Sequence, residues 1–527
     1  MDVSRAVTEG IKIWLVVGAI GLALAWRWLP LRAGRGLLIA LTLTAGLNYN
    51  RWGPDLALRH YDAYDLIHYY LNAKYFEELG YYDLYPAAIL ADHSNGGPFF
   101  KEGSRYMDQD AEGHELRSID TALARGRLAR QRFTAERWDA FEHDLLYLQR
   151  EPGNLSDNLW RQMIQDHGYN GTPVWTVIAR PLTQVVPVEH LKWLCSIDLV
   201  LLTGALLFVG ATYGAVPALW VTLFLALSYS TRWPTITWAY LRYDWLAALL
   251  IGMSLVRRGR MVWAGVLTGY ATALRLFPMM WLFGPGARGV WGLFGRRVDR
   301  PLVRLALGFL LGLGGLQAVA ITSLGADQAV VHFQNMLDHN RAEQLSSRRI
   351  GLATALPFRG DLLPKNLSRE TKAVIAEQKP LRLALAGLAL LALGVGSRRL
   401  RNDEAYALGF LPFFLLTTAS YYYFVARATL ILAHAADLKR PRNVVGLVLL
   451  LGLEGFSNWA ETVYPDHRVF LIGGLSWGLC LYTVVMASWL LVEALRPQAA
   501  PHDGTSASAS EPHSATLPPS LEPRNAP

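Results

Sequence analysis

Runs of about 18 or more apolar residues recur along most of this chain, each long enough to cross a hydrocarbon layer about 30 Å thick. Inside such a layer every backbone polar group has to be satisfied within the segment, so the runs must be helices. Charged residues make up only 17% of the sequence and hydrophobic ones 52%, against about 25% charged in average soluble domains. The expected fold class is an all-α polytopic membrane protein.

Charge is distributed unevenly along the chain. Between Arg51 and His190 there are 14 Lys/Arg against 21 Asp/Glu, whereas the whole chain is +8. The cationic excess sits at the ends of apolar runs, the pattern of cytoplasmic span flanks, and no compact basic face for nucleic acid is left. Arg257, Arg258 and Arg260, Arg398, Arg399 and Arg401, and Lys439, Arg440 and Arg442 are therefore placed inside the cell. The polar, acidic stretch 51–190 and a second loop, 324–379, are placed outside. Within the first, 121–149 and 157–165 have amphipathic spacing and are expected to lie as helices on the membrane surface. Ala23-Leu24-Ala25 fits a signal-peptidase site, but the arginines at 27, 32 and 35 favour a retained span.

Spans are expected near 11–29, 36–50, 191–212, 215–232, 236–256, 302–323, 381–397, 405–423, 424–437, 443–460 and 468–493. A hairpin over 261–294 would bring Arg275 and Pro278 to its tip. The expectation is about thirteen crossings, with the N-terminus outside and the C-terminus inside. Residues 1–35 form an extra first span and turn, 36–496 the main module, and 497–527, rich in Pro, Ser and Ala, a disordered cytoplasmic tail. Cys195 and Cys480 both fall in apolar segments, and no cysteine pair has metal-ligand spacing.

Chemistry concentrates just after the second span, in His60-Tyr61-Asp62-Ala63-Tyr64-Asp65-Leu66-Ile67-His68-Tyr69-Tyr70. Asp62 and Asp65, three apart, share a helical face that His68 extends. Carboxylates held among tyrosines at a membrane surface can serve as general bases; an aromatic interfacial belt with incidental acids is the plainer alternative. Arg242, Asp244 and Arg275 stand alone in apolar runs, where a charge costs about 2.5–3.5 kcal/mol on insertion scales. Arg275 suits a phosphate held bidentately or an ion pair with Asp244. In the second loop His332, His339, Arg341, Arg348 and Arg349 offer an anion surface or a solvated face, and Tyr421, Tyr422, Tyr423 and Arg427 mark another turn where rings meet a sugar or the interface. No nucleotide-binding loop and no His-Glu-x-x-His motif occur.

The order of these features resembles the GT-C superfamily of polytopic glycosyltransferases, whose catalytic Asp or Glu lies in the first large outer loop directly after a transmembrane helix. Ala264-Gly265 followed by Ala273-Leu274-Arg275-Leu276-Phe277-Pro278 is similar to the basic-x-aromatic-Pro element of polyprenol-phosphate-mannose-dependent mannosyltransferases. Four further strings resemble an uncharacterised bacterial group related to those enzymes. They are His68-Tyr69-Tyr70-Leu71-Asn72-Ala73-Lys74-Tyr75-Phe76, Glu78-Leu79-Gly80-Tyr81, Asp166-His167-Gly168-Tyr169-Asn170-Gly171-Thr172-Pro173-Val174-Trp175 and Arg242-Tyr243-Asp244-Trp245. The resemblance covers roughly 36–490. Where the superfamily has Asp-Asp or Asp-Glu, this chain has Asp-x-x-Asp.

The resemblance implies a GT-C-like bundle that moves a hexose, mannose among the options, from a polyprenyl-phosphate donor. The acceptor is a glycan, lipid or protein on the extracytoplasmic face of a bacterial inner membrane. It implies Asp65 or Asp62 as the base, with His68 beside it, and Arg275, Arg242, His339, Arg341 and Arg427 toward the donor phosphate. Tyr69, Lys74, Asp244 and Tyr422 would line the substrate pocket. No cofactor is fixed by the sequence, although a divalent cation is compatible with the chemistry, and the partners are the donor, the acceptor and the bilayer, not nucleic acid. A transporter or lipid-linked sugar flippase, and a scaffold of an envelope-assembly complex, are the rival classes.

The charge pattern predicts that a cysteine replacing Ser94 or Ser104 reacts with a membrane-impermeant thiol reagent in intact cells. Reaction only after permeabilisation would reverse the topology.

Overall fold

The computed structural model describes residues 5–53, 61–97, 104–111, 114–150, 157–166, 168–231, 239–341, 348–360 and 369–496. The expected tail over 497–527 lies outside them. Met1–Ala494 is one compact unit and Leu495–Pro527 a second; everything below belongs to the first.

Helices dominate. Among the described residues six are long and apolar enough to cross a membrane: Ala6–Ala25, Val188–Tyr213, Arg300–Leu324, Lys379–Arg399, Pro441–Val463 and Arg468–Leu495. Ala215–Leu227 and Met261–Leu274 are apolar but shorter. Leu31–Tyr49 is continuous over 19 residues but is not among the six, and the remaining expected spans are short or interrupted. The run near 405–423 yields only Asn402–Ala407 and Phe410–Leu416, followed by a 3-10 turn, Tyr421–Arg427, and Ala428–Ala435. Gly409, between the first two pieces, abuts the backbone of Trp281 so closely that a Cβ would stand 2.1 Å from the Trp281 Cα. The expected break at Arg275 is present. Met261–Leu274 stops at an extended Arg275, Pro278 opens the 3-10 turn Phe277–Leu282, and Phe283–Phe294 follows, as the fixed φ and missing N–H of proline require.

The polar stretch after the second helix folds into short helices and one hairpin, Arg105–Asp108 paired antiparallel with Glu115–Ser118. The first expected amphipathic stretch forms two helices, Ile119–Arg130 and Ala135–Arg150, and the second forms Asp157–Met163; the apolar face of Ala135–Arg150 is turned to protein and not to lipid. Trp138, Phe141, Leu145 and Leu148 are buried in the protein, with Phe141 edge-on to Tyr75 at 5.2 Å. Amphipathic spacing defines a face to be buried and leaves open what buries it. A second small ladder pairs Arg349–Ile350 with Ala419–Ser420 and thereby ties the later polar segment to the Tyr421–Arg427 turn.

Two helices meet without side chains between them. A Cβ at Gly265 would lie 2.1 Å from the Leu305 carbonyl oxygen, one at Gly269 2.6 Å from the Leu313 amide, and one at Gly308 2.1 Å from the Val262 carbonyl oxygen. Glycine at four-residue spacing lets backbones approach this closely where lipid supplies no hydrophobic drive between helices. Gly314, on the same helix, meets nothing within 4 Å. Gly308→Leu should therefore cost at least the roughly 1–3 kcal/mol typical of overpacking, read as a lower melting temperature in detergent. Gly314→Leu should leave it unchanged, and equal effects would refute the seam.

Candidate functional site

The helix over 63–74 carries the first functional side chains. Asp62 caps it, its carboxylate accepting from the Tyr64 amide at 3.0 Å, an ordinary role for Asp. The helix widens into a π turn at Ile67–Leu71, a rare geometry that recurs at functional sites, and Tyr69 sits in that turn. Two clamps fix it to the segment after Asp166: the Tyr64 hydroxyl donates to Asp166 at 2.7 Å and the Tyr69 hydroxyl to Asn170 at 2.6 Å. The Tyr240 hydroxyl donates to the Tyr69 carbonyl at 3.0 Å.

Arg242 is delivered by a turn that the rest of the protein holds in place. Leu241 has φ +51°, a strained value for a leucine. The buried Asp198 carboxylate accepts from the Arg242 amide at 2.7 Å and the Tyr243 amide at 3.2 Å. The Trp175 indole donates to the Leu241 carbonyl at 3.1 Å and the Trp245 indole to the Arg242 carbonyl at 2.8 Å. So held, the Arg242 guanidinium donates to the Asp65 carboxylate and packs on the Tyr422 ring, 4.9 Å from its centroid.

Asp65, Tyr69, Trp175, Arg242, Arg275, Tyr422 and Tyr423 line one small cleft. Arg275, Tyr422 and Tyr423 are shared with a larger cavity of about 370 Å³, whose walls add Phe277, Met279, Met280, Met336 and Phe413 on the apolar side and Asn170, His332, Asn335 and Arg349 on the polar side. Arg275 stands where the two meet. Its only hydrogen bond among the described residues is to the Leu274 carbonyl at 3.2 Å, and its Nε is buried without a partner. Burial and the charge of Arg275 push His332 down to about 4, so it is neutral at pH 7, with a buried Nδ1 that has no partner among the described residues.

Other expected site residues are placed elsewhere. Arg427 is fully buried, ion-paired with Glu454 at 2.9 Å and bonded to Ser230 at 3.1 Å and to the Phe424 carbonyl at 2.9 Å; it lines neither cavity and is an internal tie, which corrects its reading as a phosphate ligand. Lys74 is committed to Asp144 at 2.6 Å and to the Tyr70 hydroxyl at 3.2 Å, away from both cavities, and is not a pocket residue. Asp244 accepts from the Tyr270 hydroxyl at 2.9 Å, without pairing with Arg275. His68 does not orient Asp65. Its Nδ1 lies 2.8 Å from the Tyr64 carbonyl, so it is the donor there, and its Nε2 accepts from the Tyr85 hydroxyl at 2.6 Å; burial lowers its pKa and keeps it neutral. The side chains of His339 and Arg341 lie outside the described residues. Among the described residues no three His, Cys, Asp or Glu gather to hold a metal ion.

Asp198, Trp175 and Asn170 were not singled out from the sequence. Asp198 had a signal, a lone acid at the start of an apolar run, which by cost alone marks a residue with a partner. No family model, curated protein or solved structure matches the chain.

Burial, reinforced by the neighbouring Asp65 carboxylate and opposed by Arg242 and the Tyr64 amide, pushes Asp62 up to about 7. A carboxyl whose pKa is raised on folding binds its proton more tightly in the folded state. Its stabilisation is complete below its ordinary value near 3.8 and is lost as pH rises through about 7. Asn keeps the capping oxygen, so Asp62→Asn should flatten the fall in melting temperature between pH 5 and 8. Parallel profiles for the two proteins would show that Asp62 is ionised throughout.

Proposed function

We propose that the protein is an extracytoplasmic-facing glycosyltransferase using a polyprenyl-phosphate sugar, with 51–190 and 324–379 on the outer side of the membrane. The observation that carries this reading is that Asp65 and Arg275 line one cleft and that Arg275 also lines the adjacent apolar-walled cavity. A transferase needs a base and an anion site on opposite sides of one reacting carbon. A carrier needs instead a polar path open to both sides of the membrane.

In this reading the donor's prenyl chain lies along Phe277, Met279, Met280 and Met336, and its phosphate meets the unpaired guanidinium edge of Arg275, which is suited to bidentate contact. The acceptor hydroxyl enters beside Asp65. As the acceptor oxygen bonds to C1 with inversion, the C1–O bond to phosphate breaks and its electron pair leaves on the lipid phosphate at Arg275. The acceptor proton passes to Asp65, whose carboxylate is held in place by Arg242. Tyr69 and Trp175 exclude water around it. Asp65 is preferred to Asp62 as base because Asp62 serves as a helix cap and lines neither cavity.

Purified protein should consume one member of a panel of polyprenyl-phosphate sugars. General-base catalysis is worth about 10²–10⁴-fold, so Asp65→Asn should lower turnover by that order and spare donor binding. Arg275→Lys should weaken donor binding, because the fork is lost, and Asp62→Asn should cost much less than Asp65→Asn. Larger loss with Asp62→Asn would move the base there. Movement of an intact lipid-linked sugar across proteoliposomes without transfer would replace the enzyme by a flippase.

A further inference from the structure

The helix Ala326–Arg341 leaves an apolar stripe that the protein does not cover. Val330, Phe333 and Leu337 fall on one stripe at spacings of three and four, and they are 55%, 55% and 44% exposed. The opposite face, turned to the protein, carries His332 and Asn335 beside the partly buried Val331 and Met336. Asn335 is buried, the His332 ring lies 5.5 Å from that of Tyr81, and both His332 and Asn335 line the larger cavity. In water, three large apolar side chains exposed on one stripe are unfavourable. The arrangement is stable if the exposed stripe meets an apolar medium.

The neighbouring chain identifies that medium. Arg300–Leu324, one of the helices long and apolar enough to cross a membrane, leads into Ala326 through the single residue Gly325. The φ of +91° at Gly325 is open to glycine at no steric cost. The long helix itself exposes Leu307, Leu310, Leu311, Val319 and Ile321, as a lipid-facing helix must. A stripe that starts six residues after the end of such a helix lies near the membrane boundary.

We infer that Ala326–Arg341 is a membrane-interface helix. Val330, Phe333 and Leu337 insert into the boundary between headgroups and acyl chains, about 5–10 Å deep as amphipathic interfacial helices do. The His332 and Asn335 face closes the larger cavity from the lipid side. One helix thus serves as bilayer anchor on one face and cavity wall on the other. The inference does not depend on the transfer reaction.

Spin labels on Val330→Cys, Phe333→Cys and Leu337→Cys, with Glu136→Cys as a fully exposed reference on the polar segment, test this in the full-length chain. Cys480→Ala is included in every variant; Cys195 is buried. All the labelled positions are exposed, so the core is untouched. In vesicles of phosphatidylethanolamine and phosphatidylglycerol, the three stripe labels should collide several-fold more with oxygen than with a water-soluble nickel chelate, and the Glu136 label the reverse. Chelate access at the stripe equal to that at Glu136 would place the stripe in water and overturn the inference. Dipolar broadening that vanishes on dilution with unlabelled protein would assign the stripe to a second copy of the chain and overturn it equally.

Discussion

A guanidinium withdrawn from water must recover its lost hydration from carboxylates, carbonyls or aromatic faces, because otherwise burial costs several kcal/mol per ion. Three arginines in the apolar part of this protein meet that requirement differently. Arg427 is held from within by Glu454, Ser230 and the Phe424 carbonyl, with its Nη1 buried without a partner among the described residues. Arg242 is served by Asp65 and the Tyr422 ring, and its own backbone is pinned by Asp198. Arg275 has one carbonyl, a distant ring and an unpartnered Nε. They form a gradation in access to the cavities. Arg427 lines neither, while Arg242 lines the small cleft and Arg275 lines both.

That gradation was partly legible in the sequence. Lone charges in apolar runs pointed to Arg242, Asp244 and Arg275, and the Pro278 break put Arg275 at a helix end. Asp65, Tyr69, Arg242, Arg275 and Tyr422, read from four separate stretches, do line one cleft. Their partners were not legible. Glu454 meets Arg427 across 27 residues and Asp144 meets Lys74 across 70, and the cost of a buried charge announces a partner without naming it. The same limit separated Asp62 from Asp65. Three-residue spacing puts both on one face, yet the helix begins between them, so one became a cap and the other an ion-paired side chain.

Helix spacing likewise fixed faces but not their surroundings. Ala135–Arg150 and Ala326–Arg341 are both amphipathic, but the first buries its apolar stripe in protein and the second leaves it exposed. The difference lies in what precedes each. Ala135–Arg150 follows other polar-segment helices, whereas Ala326–Arg341 emerges directly from a long apolar helix. An apolar run predicts burial as readily as it predicts lipid: Phe410–Leu416, apart from the exposed Leu416, and Ala428–Ala435 are short helices buried in the protein.

The glycine seam has a mechanical consequence. Arg300–Leu324, 25 residues long, is about 37 Å at a rise of 1.5 Å per residue. Its apolar part, from Leu305 to Leu324, is about 30 Å at the same rise and matches the hydrocarbon layer, with Arg300 and Arg304 at its polar end, so a thinner or thicker bilayer changes its tilt. With backbone resting on backbone at Gly265, Gly269 and Gly308, no compliant side chains absorb that tilt before it reaches Met261–Leu274, whose last residue adjoins Arg275. The thickness of the surrounding membrane is thereby coupled to the height of Arg275, which lines both cavities.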